Sequence, residues 1–313
     1  MLRKKLLITG GLGNLGSWIT QSALDQFDVT VLTRKWRKVD INGQFDLILE
    51  DLSDAEKLVD ALKGRDFHYV IHAGSVNDSF VNGYNSLCYA INGFGTRNLI
   101  NALDLCFLEH FVYLSTSQVY GARAGEIDEC TEVGPKNDYA MSHILGEWFL
   151  KMDMPPNKFS TIRLTNSYGC PKELDSSKWY LVLNDLCRCA VNKKVIRLAG
   201  NGLAVRDFIW MGDVVSAVLG LLRLTPSNEI YNLSRGQIMS VFDIATQVQS
   251  AYFERYSVQI PILLNDEDIS EPDTTLVISS AKLRDRLHFG YHDNVTTEAI
   301  KIFDLLENRP RYR

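Results

Sequence analysis

The chain of 313 residues is poor in several features, and each shortage removes a class of function. It has no Cys-x-x-Cys pair. Its six cysteines stand at 88, 106, 130, 170, 187 and 189, and the close pair Cys187-Arg188-Cys189 lacks the companions a zinc site needs. Idle thiols in a reducing compartment are the expectation. No group of histidines and carboxylates has metal-ligand spacing, so no metal is expected, and His68, His72 and His110 read as packing or loop residues beside predicted strands. There is no excess of positive charge: the formal net charge of −5 argues against nucleic acid as a partner. The longest apolar run, around Val214 to Leu222, falls far short of the ~20 residues that span a bilayer. The basic, apolar start Met1-Leu-Arg-Lys-Lys-Leu-Leu-Ile8 is cut off by Gly10-Gly11 before a signal-peptide core develops. No membrane association and a cytoplasmic location are therefore expected. Internal repeats and low-complexity linkers are also missing.

What is present is a regular alternation. Lys5–Thr9, Val29–Thr33, Phe45–Leu49, Tyr69–Ala73, Phe111–Ser115 and Thr161–Thr165 are short apolar runs that read as strands. Leu15–Gln26, Ala55–Lys63, Tyr84–Leu105 and Tyr139–Lys151 read as the helices between them. This predicts an α/β fold with a doubly wound parallel sheet covered on both faces. After Cys170-Pro171 the pattern changes, with predicted helices near Tyr180–Asn192, Asp213–Leu222 and Val241–Tyr252, predicted strands at Lys194–Leu198 and Ile230–Leu233, and an acidic loop over 266–273. The expected division is a dinucleotide-binding domain over 1–169, with segments from about 204–250 returning to it. A smaller substrate lobe then comprises 170–203 and 251–313.

Thr9-Gly-Gly-Leu-Gly-Asn-Leu-Gly16 lies between the first strand and the first helix. Glycines at 10, 13 and 16 allow a tight turn, close approach of backbone to a pyrophosphate, and close helix–strand packing. The helix N-terminus then offers N–H groups to the phosphates. At the end of the second strand, where an NAD site usually has an acid for the ribose hydroxyls, stand Thr33 and Arg34, followed by Lys35, Arg37 and Lys38. A guanidinium suits a 2′-phosphate, which points to NADP. The alternative is a solvated basic loop with NAD bound without an acid.

Tyr139 and His143 are four residues apart, so they share one face of a helix. A phenol of pKa ~10 beside a side chain able to carry positive charge can move a proton at an alcohol or sugar oxygen. Upstream, Ser115-Thr116-Ser117-Gln118-Val119-Tyr120-Gly121 puts hydroxyls at the carboxyl end of a parallel strand, where α/β sheets bind ligands.

Tyr139-Ala-Met-Ser-His143 resembles the Tyr-x-x-x-Lys signature of the short-chain dehydrogenase/reductase superfamily, with the lysine replaced by histidine. Together with the Thr116 segment, the chain resembles the extended members that act on nucleotide-activated sugars, the epimerase/dehydratase group. Val70-Ile-His72-Ala73-Gly74, Asn92-Gly-Phe-Gly95-Thr96-Arg-Asn98, Arg163-Leu-Thr-Asn166-Ser-Tyr168-Gly169 and Val205-Arg206-Asp207-Phe208 extend the likeness over nearly the full length. The resemblance implies cofactor contacts from Gly10, Gly13, Asn14, Leu15, Gly16, Thr33, Arg34, Asp51, Leu52, His72, Ala73, Gly74 and Asn92. It implies that Thr116 and Tyr139 meet the reacting sugar oxygen, with Tyr139 transferring the proton and the nicotinamide the hydride. Ser117, Asn166 and Arg206 would serve the nucleotide-sugar substrate, and a homodimer is implied through the Tyr84–Leu105 and Tyr139–Lys151 helices.

Two departures narrow this expectation. Dehydratases of the group resemble a pattern with acids just after the Thr116 equivalent, and here Ser117 and Gln118 offer no base. Oxidation, reduction or epimerisation at C4 is favoured, 4,6-dehydration being the alternative. His143, to replace lysine by charge, must hold a proton beside Tyr139. Otherwise it is a packing residue, and the chain is a slow enzyme or a cofactor-binding regulatory protein with a degenerate site.

Overall fold

The first strand, β1 (Lys5–Thr9), carries three apolar side chains with no exposed surface, Leu6, Leu7 and Ile8. A strand apolar on both faces belongs in a sheet covered on both sides. The computed structural model describes residues 3–77, 86–122, 124–172, 178–198, 200–265 and 275–308. The acidic loop 266–273 and Tyr84 lie outside them.

After β1 come α1 (Asn14–Ala23), β2 (Asp28–Thr33), β3 (Asp46–Leu49), α2 (Ala55–Leu62), β4 (Tyr69–His72), α3 (Ser86–Cys88), a π-helical turn (Tyr89–Phe94), α4 (Gly95–Ala102) and β5 (His110–Thr116). A 3-10 turn (Ser117–Tyr120) leads to β6 (Gly125–Ile127), α5 (Asp138–Asp153), β7 (Phe159–Leu164), β8 (Asn166–Tyr168), α6 (Val182–Lys193), β9 (Ile196–Arg197) and β10 (Val205–Trp210). The remainder is α7 (Met211–Leu221), β11 (Glu229–Leu233), β12 (Ile238–Ser240), α8 (Val241–Tyr256), β13 (Ile262–Leu263), β14 (Leu276–Ile278), α9 (Ala281–Leu287) and α10 (Val295–Glu307).

Seven strands form one parallel sheet in the order β11-β7-β5-β4-β1-β2-β3. The order reverses between β1 and β4, and such a switch point opens a ligand crevice at the carboxyl ends of the strands. Thr9 pairs with His72 there, and Thr116 ends β5 opposite Leu164 of β7. The doubly wound α/β fold expected from the strand–helix alternation is therefore borne out.

Beside a small apolar cluster around Val119, Ile144 and Ile278, three larger ones divide the interior. One joins the sheet to α1, α7 and α9 through Ile19, Val214, Val218 and Leu283. A second covers the other face with α2, α4 and α5 through Leu58, Leu99 and Leu150. The third packs α6, α8 and α10 together through Leu183, Val248 and Ile302. Within the span 204–250, α7 and β11 return to the sheet, but α8 stays in the third cluster because Ile244, Ala245, Val248, Ala251 and Tyr252 bury one face there. Conversely α9, beyond residue 251, packs on the sheet side.

The helix expected over Tyr84–Leu105 is interrupted by the π turn. Asn92 within it spends its side chain on the loop after β4: its Oδ1 accepts from Val76 N at 2.8 Å, and its Nδ2 donates to Val76 O at 2.9 Å. Such turns recur where a helix must offer a side chain out of register. Among the described residues no helix is long and apolar enough to cross a membrane.

Candidate active site

The glycine loop is shaped by steric need. Gly10 has φ +65°, and a Cβ on it would lie 2.7 Å from Gly74 Cα; a Cβ on Gly16 would overlap the Gly10 carbonyl. Only glycine meets both demands. No side chain caps α1 and no acid lies in its first turn, so its N–H groups and dipole are left to an anion.

Above this loop lies a cleft of about 540 Å³. The loop lines it with Gly10, Gly13, Asn14, Leu15 and Gly16, the end of β2 with Thr33 and Arg34, the end of β3 with Asp51 and Leu52, and the end of β4 with Ala73 and Gly74. Tyr139 and His143 close the far end. A second cavity of about 660 Å³ adjoins it, lined by Thr116, Ser117, Gln118, Asn166 and Arg206 among others. Ser115, Tyr139 and Asn166 line both. Each volume is of small-molecule size, which is about 300–1,000 Å³. The cleft fits a dinucleotide in its donor set: uncapped helix N–H groups for a pyrophosphate at one end and a phenol–imidazole pair at the other.

His72 and Asn92, expected to touch cofactor, are not among the described residues that line the cleft. They support it. His72 is buried, with Nδ1 2.6 Å from Thr9 Oγ1 and Nε2 2.9 Å from Thr96 Oγ1. Burial, together with the nearby His143, pushes it down to about 3. Asn92 fixes Val76 and donates to Ser142 Oγ at 3.0 Å, tying the loop after β4 to α5.

α5 begins at a built cap, in which Asn137 Oδ1 accepts from Ala140 N at 2.7 Å. The same Asn137 donates through Nδ2 to Gln118 Oε1 at 3.1 Å, so the residue standing at an acid's place is held by the cap of the helix that carries Tyr139. The rings of Tyr139 and His143 meet edge to face, 4.6 Å between centroids. His143 is 2 % exposed, its Nδ1 is 3.0 Å from Tyr113 Oη, and its Nε2 is buried with no partner among the described residues.

Of the two alternatives for His143, a protonated partner of Tyr139 or a packing residue, burial favours the uncharged one. Burial pushes its pKa down to about 3, so the imidazole beside Tyr139 is neutral near pH 7. Among the described residues no carboxylate is paired with it to offset the lost hydration.

A buried ion pair was not foreseen from the sequence. Glu147, one further turn along the Tyr139 face of α5, accepts from Arg163 Nε at 3.0 Å and Nη2 at 2.7 Å. It also accepts from Ser115 Oγ at 2.7 Å. Ser115 is thus held from below at the junction of the two cavities. Removing one member of such a pair costs about 3–5 kcal/mol. The signal available in the sequence was the spacing 139, 143, 147. Asp207, next to Arg206, also proves structural: it accepts from Thr165 Oγ1, Arg235 N and Gly236 N at 2.7, 2.9 and 2.8 Å.

Comparison with known proteins agrees with this geometry. The chain is 28% identical over 265 residues to a human dTDP-D-glucose 4,6-dehydratase, covering 78% of this chain and 73% of that one. It is 24% identical over 330 residues to a dTDP-L-rhamnose 4-epimerase of Burkholderia thailandensis, covering 90% of each. Among solved structures, a UDP-N-acetylglucosamine 4-epimerase from Methanobrevibacter ruminantium shares the fold with a TM-score of 0.81 at 21% identity, over 98% of this chain and 99% of that one. A UDP-glucuronic acid 4-epimerase from Bacillus cereus, solved with UDP-glucuronic acid and NAD, superposes with a TM-score of 0.77 at 19% identity, over 97% and 99%. The sequence model of the NAD dependent epimerase/dehydratase family matches residues 6–234, and the chain belongs to that family of enzymes.

Proposed function

We propose that the chain oxidises and re-reduces, or epimerises, C4 of a nucleotide-activated sugar, with Tyr139 as the acid/base. The observation that carries this is the position of Tyr139 on the wall shared by the dinucleotide cleft and the second cavity, beside Thr116 and Ser115. A bound nicotinamide supplies the hydride acceptor and donor. Thr116, whose Oγ1 already accepts from Gln118 N at 3.3 Å, has its hydroxyl proton for the sugar oxygen, and Tyr139 takes the proton from that oxygen and returns it. Asn166 and Arg206 are assigned to the substrate's phosphates and Ser117 to its sugar, and the third apolar cluster is the substrate lobe.

Gln118 and Ser117 favour C4 chemistry over 4,6-dehydration, because neither accepts a proton at neutral pH. The 28% likeness to a 4,6-dehydratase supports the second reading. Incubation with NAD and a panel of UDP- and dTDP-hexoses separates them: a C4 epimer or 4-keto sugar supports the first, a 4-keto-6-deoxy sugar the second. We further assign NADP, through Arg34, over NAD, and a homodimer through α5 and the α4 side.

A further inference from the structure

The second cavity has a polarity of its own. Among the described residues that line it are two cations, Lys136 and Arg206, and one carboxylate, Asp207. Asp207 is already met by three donors, the Thr165 hydroxyl and the N–H groups of Arg235 and Gly236. Arg206 is assigned above to the substrate's phosphates. That leaves the ammonium of Lys136, with which no carboxylate is paired among the described residues.

Lys136 is held beside the 3-10 turn that follows Thr116. Gly134 N donates to Val119 O at 2.9 Å and Gly121 N to Gln118 O at 3.1 Å, so the chain before α5 lies against that turn. Gly121 makes the contact possible. It has φ +61°, and a Cβ on it would overlap the Gly134 carbonyl and lie 3.1 Å from Lys136 Cγ. Lys136, three residues before Tyr139, is thereby brought to the turn that carries Gln118, two residues after Thr116.

The orientation of the Gln118 amide follows from the cap of α5. Only an oxygen can accept from Ala140 N, so Asn137 turns Oδ1 to the helix and Nδ2 to Gln118. Only an oxygen can accept from Nδ2, so Gln118 turns Oε1 to Asn137. Its Nε2 keeps two protons with no partner among the described residues, and the side chain lines the cavity. An amide with two free donors therefore stands beside an unpaired ammonium at the reacting end of the cavity.

We propose that the sugar is a nucleotide-linked hexuronate, whose C6 carboxylate is received by Gln118 Nε2–H and the Lys136 ammonium. Thr116 and Tyr139 take O4, and the carbon beside that centre which can carry a carboxylate is C6, borne on C5. A 6-hydroxymethyl group would satisfy the amide and leave the ammonium without a counter-charge. A carboxylate satisfies both. The proposal rests on the nucleotide-sugar reading of the cavity given above.

The test compares UDP-glucuronate with UDP-glucose, and dTDP-glucuronate with dTDP-glucose, by calorimetry with NAD present. Within each pair only C6 differs. The parent should bind the uronate at least about tenfold more tightly, the size of one charge-assisted hydrogen bond. That ratio should fall about tenfold in Lys136→Gln. It should fall likewise in Gln118→Glu, which keeps one oxygen for Asn137 and turns an acceptor, in place of Nε2, to the ligand. Added salt should lower the parent's ratio, because it screens the ammonium. Equal affinities within the pairs, or a ratio unchanged in either folded variant, overturn the proposal and leave the nucleotide-sugar reading standing. If the parent binds none of these sugars, that reading falls and the proposal with it.

Discussion

The rings of Tyr139 and His143 meet edge to face at 4.6 Å, yet the histidine is neutral, because burial in a dry interior disfavours its charged form. A lysine at the same place would bring a charge. Here the ring packed against Tyr139 is uncharged.

This charge state has a consequence for stability. His143 and His72 are held down to about 3 and His110 to about 4, against an ordinary value of 6.5. Between those limits the unfolded chain binds more protons than the folded one, so stability rises with pH through the window. Stability is complete above pH ~6.5 and falls toward pH ~3, by up to ~1.4 kcal/mol per pH unit for each such group. Urea unfolding across this range should show a shallower pH slope in His143→Gln than in the parent. Identical slopes would mean that His143 is protonated in the folded state.

The glycine loop predicts loss of cofactor binding without loss of fold. A Cβ at Gly13 lies only 3.0 Å from the Gly10 carbonyl, so Gly13→Val displaces the loop where a pyrophosphate must approach. Overpacking of about 1–3 kcal/mol, carried into binding, corresponds to about five- to 150-fold weaker dinucleotide affinity. Calorimetry on a folded variant checks it, and unchanged affinity would remove the loop from the account.

Cofactor choice turns on Arg34. It stands 3.9 Å from Asp51, both partly exposed, and a pair of this kind is worth ~0–1 kcal/mol. Arg34 can therefore exchange Asp51 for a 2′-phosphate at little cost. Arg34→Ala should weaken NADP binding about tenfold and leave NAD nearly unaffected. If the parent protein binds NAD more tightly than NADP, the assignment to NADP is wrong.

On the outer face of α5, Met141, Trp148 and Met152 are 42, 58 and 64% exposed, and their spacing sets them in one stripe. Sedimentation should find the parent dimeric and Trp148→Glu monomeric. A parent that stays monomeric at high concentration would rule out this face as the dimer contact.

The sheet was legible because β1, β4 and β5 are short apolar runs with turn residues behind them, and the glycine loop because its spacing follows a strand. The π turn at Asn92 was not, since local periodicity cannot show that a side chain is needed by a loop distant in sequence. Nor was the pair Glu147–Arg163: each residue reads as ordinary surface charge until α5 is laid on β7. His143 was found by its place four residues after Tyr139, but which of its two alternatives holds was not legible, because its burial depends on Tyr113 and the π turn, which meet α5 only in the fold. The place of α8 in the third cluster and the return of α9 to the sheet side were obscured for the same reason, as helices with apolar faces do not declare which cluster they join.

The most direct test of the account is conversion of a UDP- or dTDP-hexose in the presence of added NAD or NADP, followed by proton NMR of the sugar at C4, for the parent and for Tyr139→Phe. The account predicts inversion or oxidation at C4 by the parent. It predicts loss of that chemistry by more than about a hundredfold in Tyr139→Phe, with nucleotide-sugar binding still measurable by calorimetry. Full turnover by Tyr139→Phe would contradict it.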